Sequence, residues 1–343
     1  MCGISKFVIA ASCLTLTVGT LLADSVPPPV KVIFDTEMSS DCDSAGALAV
    51  LNKLADKGEA EILACVADAV EPDKSIAATI SAINTYYGRP GIPIGTYQSA
   101  RIRPGRSSYT AHIRDEFPHH ALPDDQEPRA LDVYRTALAK APDGSVTILS
   151  LGFFVNLRDL LESKPDAVSP LAGSELVRKK VKRLVAVGGR FKPEDILHQT
   201  GPEYNFGGGD AKAAPDTRQV IENWPTEILF AGLEIGQGVC TGLTLINSPS
   251  TNPLRRIYEL FGALKTPRSS WCQIAVLAAV RDPGTYWNIK RDGYCQVSPA
   301  GLNTWADEPH RGHSYLMMKL SQEEMGRVIG QLMAEPPGKR VVN

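Results

Sequence analysis

Apolar and polar positions along the chain alternate in blocks that predict strands and helices in turn. Short β-branched runs such as VKVIFD (residues 30–35) and EILACVADA (61–69) are typical of buried strands. AGALAVLNKLADKG (45–58) has the apolar spacing of a helix and ends at a glycine. The same order continues with predicted strands at 92–97, 145–152, 183–189 and 227–236 and predicted helices at 76–88, 131–141, 156–163 and 212–224.

Strands that alternate with helices predict an α/β fold, with a single mostly parallel sheet flanked by helices. We expect one domain over residues 24–343, because the region after residue 270 contains further apolar helical and strand-like segments. Residues 101–127 are rich in His, Pro, Arg and Asp without a clear period, which predicts a long loop or lid. In such sheets, ligands bind beyond the carboxyl ends of the strands.

The first 23 residues have the pattern of a secretory signal peptide. Lys6 precedes an apolar run over 7–22, and the small Ala23 follows. The run is short for a membrane span, although an uncleaved anchor remains an alternative. We therefore expect an exported protein, periplasmic or secreted. Five cysteines remain after this segment, without a CxxC motif, so neither a disulfide framework nor a zinc site is indicated.

The charge balance excludes some classes of partner. The chain has 36 Lys+Arg and 38 Asp+Glu, for a formal net charge of −2. Because no basic excess is available to engage phosphates, we expect no nucleic-acid partner and, after signal cleavage, no membrane partner.

The loop after the first strand concentrates acidic residues: Asp35, Glu37, Asp41 and Asp43 lie within nine positions. Such a cluster is electrostatically costly unless a positive group lies among the carboxylates. A hard cation such as Ca²⁺ or Mg²⁺ would supply that group. The alternative is an acid-decorated helix N-terminus, stabilised by the helix dipole. The residues alone favour neither reading.

This loop, DTEMSSDCDSAGALAVL, resembles the N-terminal signature of the inosine/uridine-preferring nucleoside hydrolase family. Further segments resemble the same family in the same order along nearly the whole mature chain: NTYYGRPGIPIG, VTILSLGFFVNLRDLL, LVAVGG, PEYNFGGGDAKAA and SSWCQIAVLAAVR. The resemblance implies cleavage of the N-glycosidic bond of ribonucleosides to ribose and free base. It implies a Ca²⁺ ion that holds the ribose diol and a water, a small nucleoside or other ribose-containing ligand, and a homo-oligomer.

The resemblance also assigns roles to residues. Glu37 matches the metal-bridging general base and Asp35 the acid before it, while Val155 matches a position that offers its backbone carbonyl to the metal. Asp41, an extra acid of the longer loop, is expected to compensate at the metal. The expected substrate contacts are Asp43, Asp68, Glu203, Asn205 and, for the nucleobase, Trp271, although a core tryptophan is an equal alternative.

Three departures from the family pattern bear on activity. Glu37 replaces an Asp, and Ser44 and Cys272 stand where two metal-ligating carboxylates are expected. Losing two carboxylates weakens Ca²⁺ binding severely, and a thiol is a poor ligand for a hard cation.

Three hypotheses follow from these departures. The first is an N-glycosidase with a weakened metal site, and the second is a non-catalytic protein that binds a nucleoside or sugar. A third, an aspartyl-phosphate phosphotransferase with Asp35 as nucleophile, lacks the later sequence elements that this chemistry requires.

Overall fold

The computed structural model describes residues 27–99, 101–102 and 105–338. The predicted signal peptide lies outside these residues. The strands are β1 Val30–Thr36, β2 Ala60–Ala67, β3 Ile94–Thr96, β4 Val146–Ser150, β5 Val181–Val187, β6 Glu227–Ala231, β7 Cys240–Thr241, β8 Arg268–Ser269, β9 Trp287–Lys290, β10 Tyr294–Val297, β11 Asn303–Ala306 and β12 His313–Met318.

The helices alternate with these strands over most of the chain. They are α1 Asp43–Asp56, α2 Ile76–Tyr86, α3 Thr110–Glu116, α4 Ala130–Lys140, α5 Val155–Glu162, α6 Gly173–Lys180, α7 Pro193–Leu197, α8 Ala214–Asn223, α9 Leu233–Gly236, α10 Pro253–Phe261, α11 Trp271–Val280 and α12 Gln322–Ala334. A π-helical turn covers Tyr204–Gly208, and short 3₁₀ turns cover Ala211–Ala213, Leu243–Asn247 and Pro283–Thr285. Within the described part of the chain, no helix is both long and apolar enough to cross a membrane.

The eight-stranded sheet has the order β3-β2-β1-β4-β5-β6-β12-β9. All neighbouring strands are parallel except the edge pair β12–β9, which confirms the predicted α/β class. Helices α1, α2 and α10–α12 cover one face, and α4–α6 and α8 cover the other. The chain runs outward from β1 to β3 and returns beside β1 as β4. The carboxyl ends of β1 and β4 therefore form a topological switch point, where such sheets bind ligands.

The structure differs from the sequence prediction in a few segments. The predicted loop at 101–127 contains helix α3, so the prediction of an irregular segment was wrong there. Helices α6 and α10 were not predicted, although α10 begins with a cap that the sequence displays: the Asn252 side chain accepts a hydrogen bond from the Leu254 N–H, and Pro253 follows it. Helices α6 and α10 have only eight and nine residues, so each shows few repeats of its apolar spacing in the sequence.

Candidate functional site

A cavity of about 330 Å³ opens at the carboxyl ends of the central strands. Its size falls at the lower end of the range for small-molecule sites. The walls come from the loops after β1, β4, β5 and β6 and from the start of α11. The lining residues are Glu37, Ser40, Asp41, Asp43, Leu151, Val187, Glu203, Tyr204, Asn205, Leu233, Arg268, Trp271 and Cys272.

Six of the residues singled out from the sequence share this cavity: Glu37, Asp41, Asp43, Glu203, Asn205 and Trp271. Asp35, Asp68 and Val155 do not line it, and each is fully buried.

Glu37 packs closely against a glycine in the neighbouring segment of the chain. Gly152 follows β4, and a Cβ atom there would lie 2.6 Å from both carboxylate oxygens of Asp68 and 2.7 Å from the Cβ of Glu37. Real Cβ atoms do not approach other atoms so closely. A glycine at this strand end therefore permits the close packing of the two acidic side chains.

Glu203 and Asn205 form the wall beyond β5. Glu203 caps the π-helical turn, and its Oε2 accepts hydrogen bonds from the N–H groups of Gly189 at 3.1 Å and Asn205 at 3.0 Å. Gly189 has a φ of 78°, a conformation that glycine adopts readily. The Asn205 Nδ2 donates to the Val187 carbonyl at 3.0 Å. Its Oδ1 is buried and has no hydrogen-bond partner among the described residues.

The start of α1 meets the start of α11 at the cavity floor. The Asp43 Oδ2 accepts a hydrogen bond from the Cys272 backbone N–H at 3.2 Å. The Ser44 Oγ and the Cys272 Sγ are 3.7 Å apart, and the Cys272 thiol also donates to the Leu151 carbonyl at 3.7 Å. These contacts join two segments that are more than 200 residues apart in the chain.

The rim of the cavity contains an ion pair that the sequence reasoning missed. The Arg268 Nε lies 3.1 and 2.9 Å from the two carboxylate oxygens of Asp41, and its Nη2 also donates to this carboxylate. The guanidinium carbon lies 5.3 Å from the ring centroid of Trp271. The Trp271 indole is fixed by a 2.7 Å hydrogen bond from Nε1 to the Leu233 carbonyl. No local sequence pattern indicated that Arg268 belongs to the site, because its partner Asp41 lies 227 residues away in the chain.

Burial and mutual repulsion raise the pKa values of the floor acids. The pKa of Glu37 lies well above its ordinary value because of burial and the nearby charges of Asp43, Glu203 and Asp41. Burial raises the pKa of Asp43 to about 7, with a further contribution from Asp41. Burial also raises the pKa of Glu203 to about 7, although the hydrogen bonds that it accepts from the backbone N–H groups of Gly189 and Asn205 lower this pKa. Carboxyls with such values exchange protons near neutral pH.

Asp35 lies behind the cavity floor, and its carboxylate is already satisfied. The Tyr134 hydroxyl donates to one oxygen at 2.8 Å, and the Asn156 Nδ2 donates to the other at 2.9 Å. Burial raises its pKa to about 7. Asp68 is adjacent, and burial together with the charges of Asp35 and Glu37 raises its pKa. The structure thus places both acids in a buried cluster that does not line the cavity.

The residues at the expected metal position do not fit a resident Ca²⁺ ion. Ser44 and Cys272 are neutral, and burial and the nearby Asp43 raise the pKa of the thiol, which keeps it protonated. Asp41, expected to compensate, is bound by Arg268 instead. Among the residues that the structure describes, no group of three or more His, Cys, Asp or Glu side chains is arranged to hold a metal. Hard cations need several charged oxygen ligands, and of the carboxylates that line the cavity only those of Glu37 and Asp43 lie beside Ser44 and Cys272.

Comparison with known proteins identifies the class of fold. The sequence matches no known family profile and no curated protein. The structure, however, matches those of nucleoside hydrolases over most of its length, so the chain has the nucleoside hydrolase fold.

Three solved structures illustrate the similarity. A plant nucleoside hydrolase, PpNRh1, has 19% identity and a TM-score of 0.61, with 90% of this chain and 100% of that chain covered. The inosine-uridine preferring nucleoside hydrolase of Bacillus anthracis has 16% identity and a TM-score of 0.64, with 89% and 99% covered. The type III effector XopQ, in complex with adenosine diphosphate ribose, has 14% identity and a TM-score of 0.60, with 90% and 92% covered.

Proposed function

We propose that the protein binds a ribonucleoside by its ribose in this cavity and hydrolyses the N-glycosidic bond to ribose and free base. One observation carries the proposal: Glu37, Asp43, Glu203 and Asn205 surround a single cavity, and the buried Asn205 Oδ1 has no hydrogen-bond donor among the described residues. Buried acceptors need hydrogen-bond donors. The hydroxyl groups of a furanose ring supply such donors from one face of a compact ligand.

The same acids suit the charge that develops during cleavage. When the bond between C1′ and the base nitrogen breaks, its electron pair leaves with the base, and the sugar ring becomes positive. Carboxylates placed around the ring stabilise this charge. Glu37 accepts the proton of the attacking water when it is ionised. Because burial and the nearby acids raise the pKa of Glu37, we expect turnover to increase with pH as this carboxyl ionises.

Proteins of the same fold support a ribosyl ligand. The structural neighbours include nucleoside hydrolases with inosine-uridine and purine preference, and XopQ was solved with adenosine diphosphate ribose. All of these ligands contain a ribofuranose. The low sequence identity restricts this support to the fold, and the proposal for this chain depends on the cavity residues.

A second function, binding without turnover, is favoured by the neutral Ser44–Cys272 pair at the expected metal position. Without charged ligands there, the site keeps its contacts to the ribose but lacks an ion to orient water. The phosphotransferase hypothesis is disfavoured, because Asp35 is fully buried, outside the cavity, and accepts two hydrogen bonds.

We also propose that the protein is exported, on the basis of the sequence pattern at residues 1–23. Its ligand is a small molecule rather than a nucleic acid, because the charge balance offers no basic excess.

Calorimetry with methyl β-D-ribofuranoside and inosine, with free ribose measured in parallel in EDTA at pH 6 to 9, tests these proposals. We expect saturable binding of both compounds and, for a hydrolase, ribose release that increases with pH. Binding without release supports the second function, and no binding of either compound refutes both. Glu203→Gln should weaken binding of both compounds about tenfold or more. Glu234→Gln, a matched control outside the cavity that also accepts a backbone N–H, should not.

A further inference from the structure

Arg268 stands out among the residues that line the cavity because it carries the single formal positive charge among them. It belongs to β8, which pairs with β7 and leads into α11. Its side chain is 40% exposed, whereas Glu37, Asp43, Glu203 and Asn205 are each less than 9% exposed. Arg268 therefore lies at the rim, where the part of a ligand beyond its sugar would project.

The ion pair with Asp41 orients the guanidinium and leaves part of it unused. Asp41 accepts from Nε and Nη2. Arginine has five N–H donors in a fixed plane, so three remain, two of them on Nη1. Within the described parts of the chain, Nη1 has no hydrogen-bond acceptor. Contacts with the rings of Trp271 and Phe261, at 5.3 and 5.6 Å from the guanidinium carbon, further fix the plane.

Such an arrangement presents a planar set of donors beside an aromatic ring. A nucleobase has the complementary features, namely a flat face that stacks on Trp271 and ring or carbonyl acceptors along its edge. A guanidinium pairs well with an edge that carries two acceptors, such as O6 and N7 of a 6-oxopurine. It pairs poorly with adenine, which places an amino donor beside N7.

We propose that Arg268 is the residue that recognises the base of the bound nucleoside, through the Nη1 and Nη2 donors that Asp41 leaves unused. This inference rests on the proposed ribose site and adds the residue that determines which base the bound nucleoside carries. Asp41 acts as the positioning partner of Arg268, and the ligand class is a riboside whose base presents adjacent acceptors.

The test compares affinities for inosine, adenosine and methyl β-D-ribofuranoside, which contains the sugar without a base. We expect wild type to bind inosine at least tenfold more tightly than the other two compounds. Arg268→Lys keeps the charge but loses the planar fork, and Arg268→Gln loses both. Both variants should lose about tenfold or more in inosine affinity while the affinity for methyl β-D-ribofuranoside changes less than about threefold.

Two controls separate recognition from structural damage. Arg256→Gln removes an arginine that is also ion-paired, to Glu116 and Glu259, but lies outside the cavity, and it should leave all three affinities unchanged. The double variant Asp41→Asn/Arg268→Gln removes the pair without leaving an unpaired acid at the rim, and it should still bind inosine weakly.

The outcomes are distinguishable. If wild type binds methyl β-D-ribofuranoside but inosine no more tightly, or if Arg268→Lys keeps the full preference for inosine, the role of Arg268 is overturned and the ribose site stands. If the double variant recovers the affinity for inosine, Arg268 only neutralises Asp41, and the inference fails. If wild type binds none of the three compounds, the proposed function fails first.

Discussion

Two side chains, Ser44 and Cys272, are neutral at the positions where the resemblance predicts metal-ligating carboxylates. They contact each other across the start of α1 and the start of α11, and neither offers a charged oxygen. Glu37 and Asp43 remain beside them as buried acids. The expected metal position therefore combines two neutral side chains with two buried acids.

Restoring both carboxylates should restore metal binding. We expect Ser44→Asp/Cys272→Asp to bind Ca²⁺ at least about tenfold more tightly than wild type, because affinity depends on the number of charged oxygen ligands. Terbium luminescence with Ca²⁺ competition measures the affinity. The thermal midpoint of the double variant should be lowered in EDTA, where the added acids repel Glu37 and Asp43, and should recover when Ca²⁺ is added.

A control with equal added charge identifies the cause. Ser108→Asp/Cys240→Asp places the same two substitutions at exposed positions outside the cavity. This control should show neither a gain in affinity nor a Ca²⁺-dependent midpoint. Equal Ca²⁺ affinity in the two double variants would contradict our placement of Ser44 and Cys272 at the metal position.

Tyr134 supports the buried acid behind the floor. Its hydroxyl donates a hydrogen bond to Asp35. Burial raises the pKa of Asp35 and this hydrogen bond lowers it, with a net value of about 7. Tyr134→Phe should destabilise the fold by about 1 kcal/mol at pH 5 and by about 2–3 kcal/mol at pH 8, because hydrogen bonds to charged groups are stronger and Asp35 ionises in this range. Denaturant unfolding at both pH values measures the difference.

Tyr87→Phe is the matched comparison for this substitution. Tyr87 is equally buried, but its hydroxyl has no hydrogen-bond partner among the described residues. Its removal should change the free energy of unfolding by less than about 0.5 kcal/mol, with no dependence on pH. A Tyr134→Phe effect that is the same at pH 5 and pH 8 would mean that Asp35 does not titrate in this range.

The strand ends determine where the acids lie, and these elements were largely predictable. The β-branched runs identified β1, β2, β4, β5 and β6, and the acid-rich end of β1 marked one side of the site. By contrast, the contact of α1 with α11 and the pairing of β7 with β8 depend on tertiary packing. Arg268 reaches the rim through β8, so its role could not be predicted from local sequence.

The end of β4 is the element where close packing matters most for the floor. Gly152→Ala should displace Glu37 or Asp68, destabilise the protein by about 1–3 kcal/mol and weaken binding of methyl β-D-ribofuranoside. Denaturant unfolding and calorimetry measure the two effects. Gly91→Ala, where an added Cβ meets nothing within 4 Å, should change neither. Wild-type affinity in Gly152→Ala would show that the position of Glu37 does not depend on this glycine.

The whole molecule combines an α/β core with several buried acids near the carboxyl ends of its central strands. The core follows from hydrophobic patterning, which is why the fold class was predictable from the sequence. The cavity depends on which loops meet above the sheet. The family resemblance predicted Glu37, Asp43, Glu203 and Asn205 as site residues, and all four line the cavity. The burial of Asp35 and Asp68, by contrast, is visible only in the folded structure.

These buried acids should make the protein less stable as the pH rises. Asp35, Asp43 and Glu203 have pKa values of about 7 in the folded state, against ordinary values near 4 in the unfolded chain. Between about pH 4 and 7 the folded state therefore binds more protons, and the free energy of unfolding falls as the pH rises. His313 acts in the opposite direction, because burial lowers its pKa to about 4, but it is one group against three.

The size of this fall follows from proton linkage and can be measured directly. Each raised acid contributes about 1.4 kcal/mol per pH unit where it is protonated only in the folded state, so unfolding in guanidinium chloride at pH 5, 6, 7 and 8 should show a clear decrease. Asp43→Asn and Glu203→Gln should each flatten the curve, because amides do not titrate. The exposed Asp125→Asn should leave the slope unchanged over this range, because the hydrogen bond from Lys74 lowers the pKa of Asp125 below its ordinary value. A stability that increases from pH 5 to 7 would mean that these acids are ionised in the folded protein over this range, and the raised pKa values of Asp35, Asp43 and Glu203 would then be wrong.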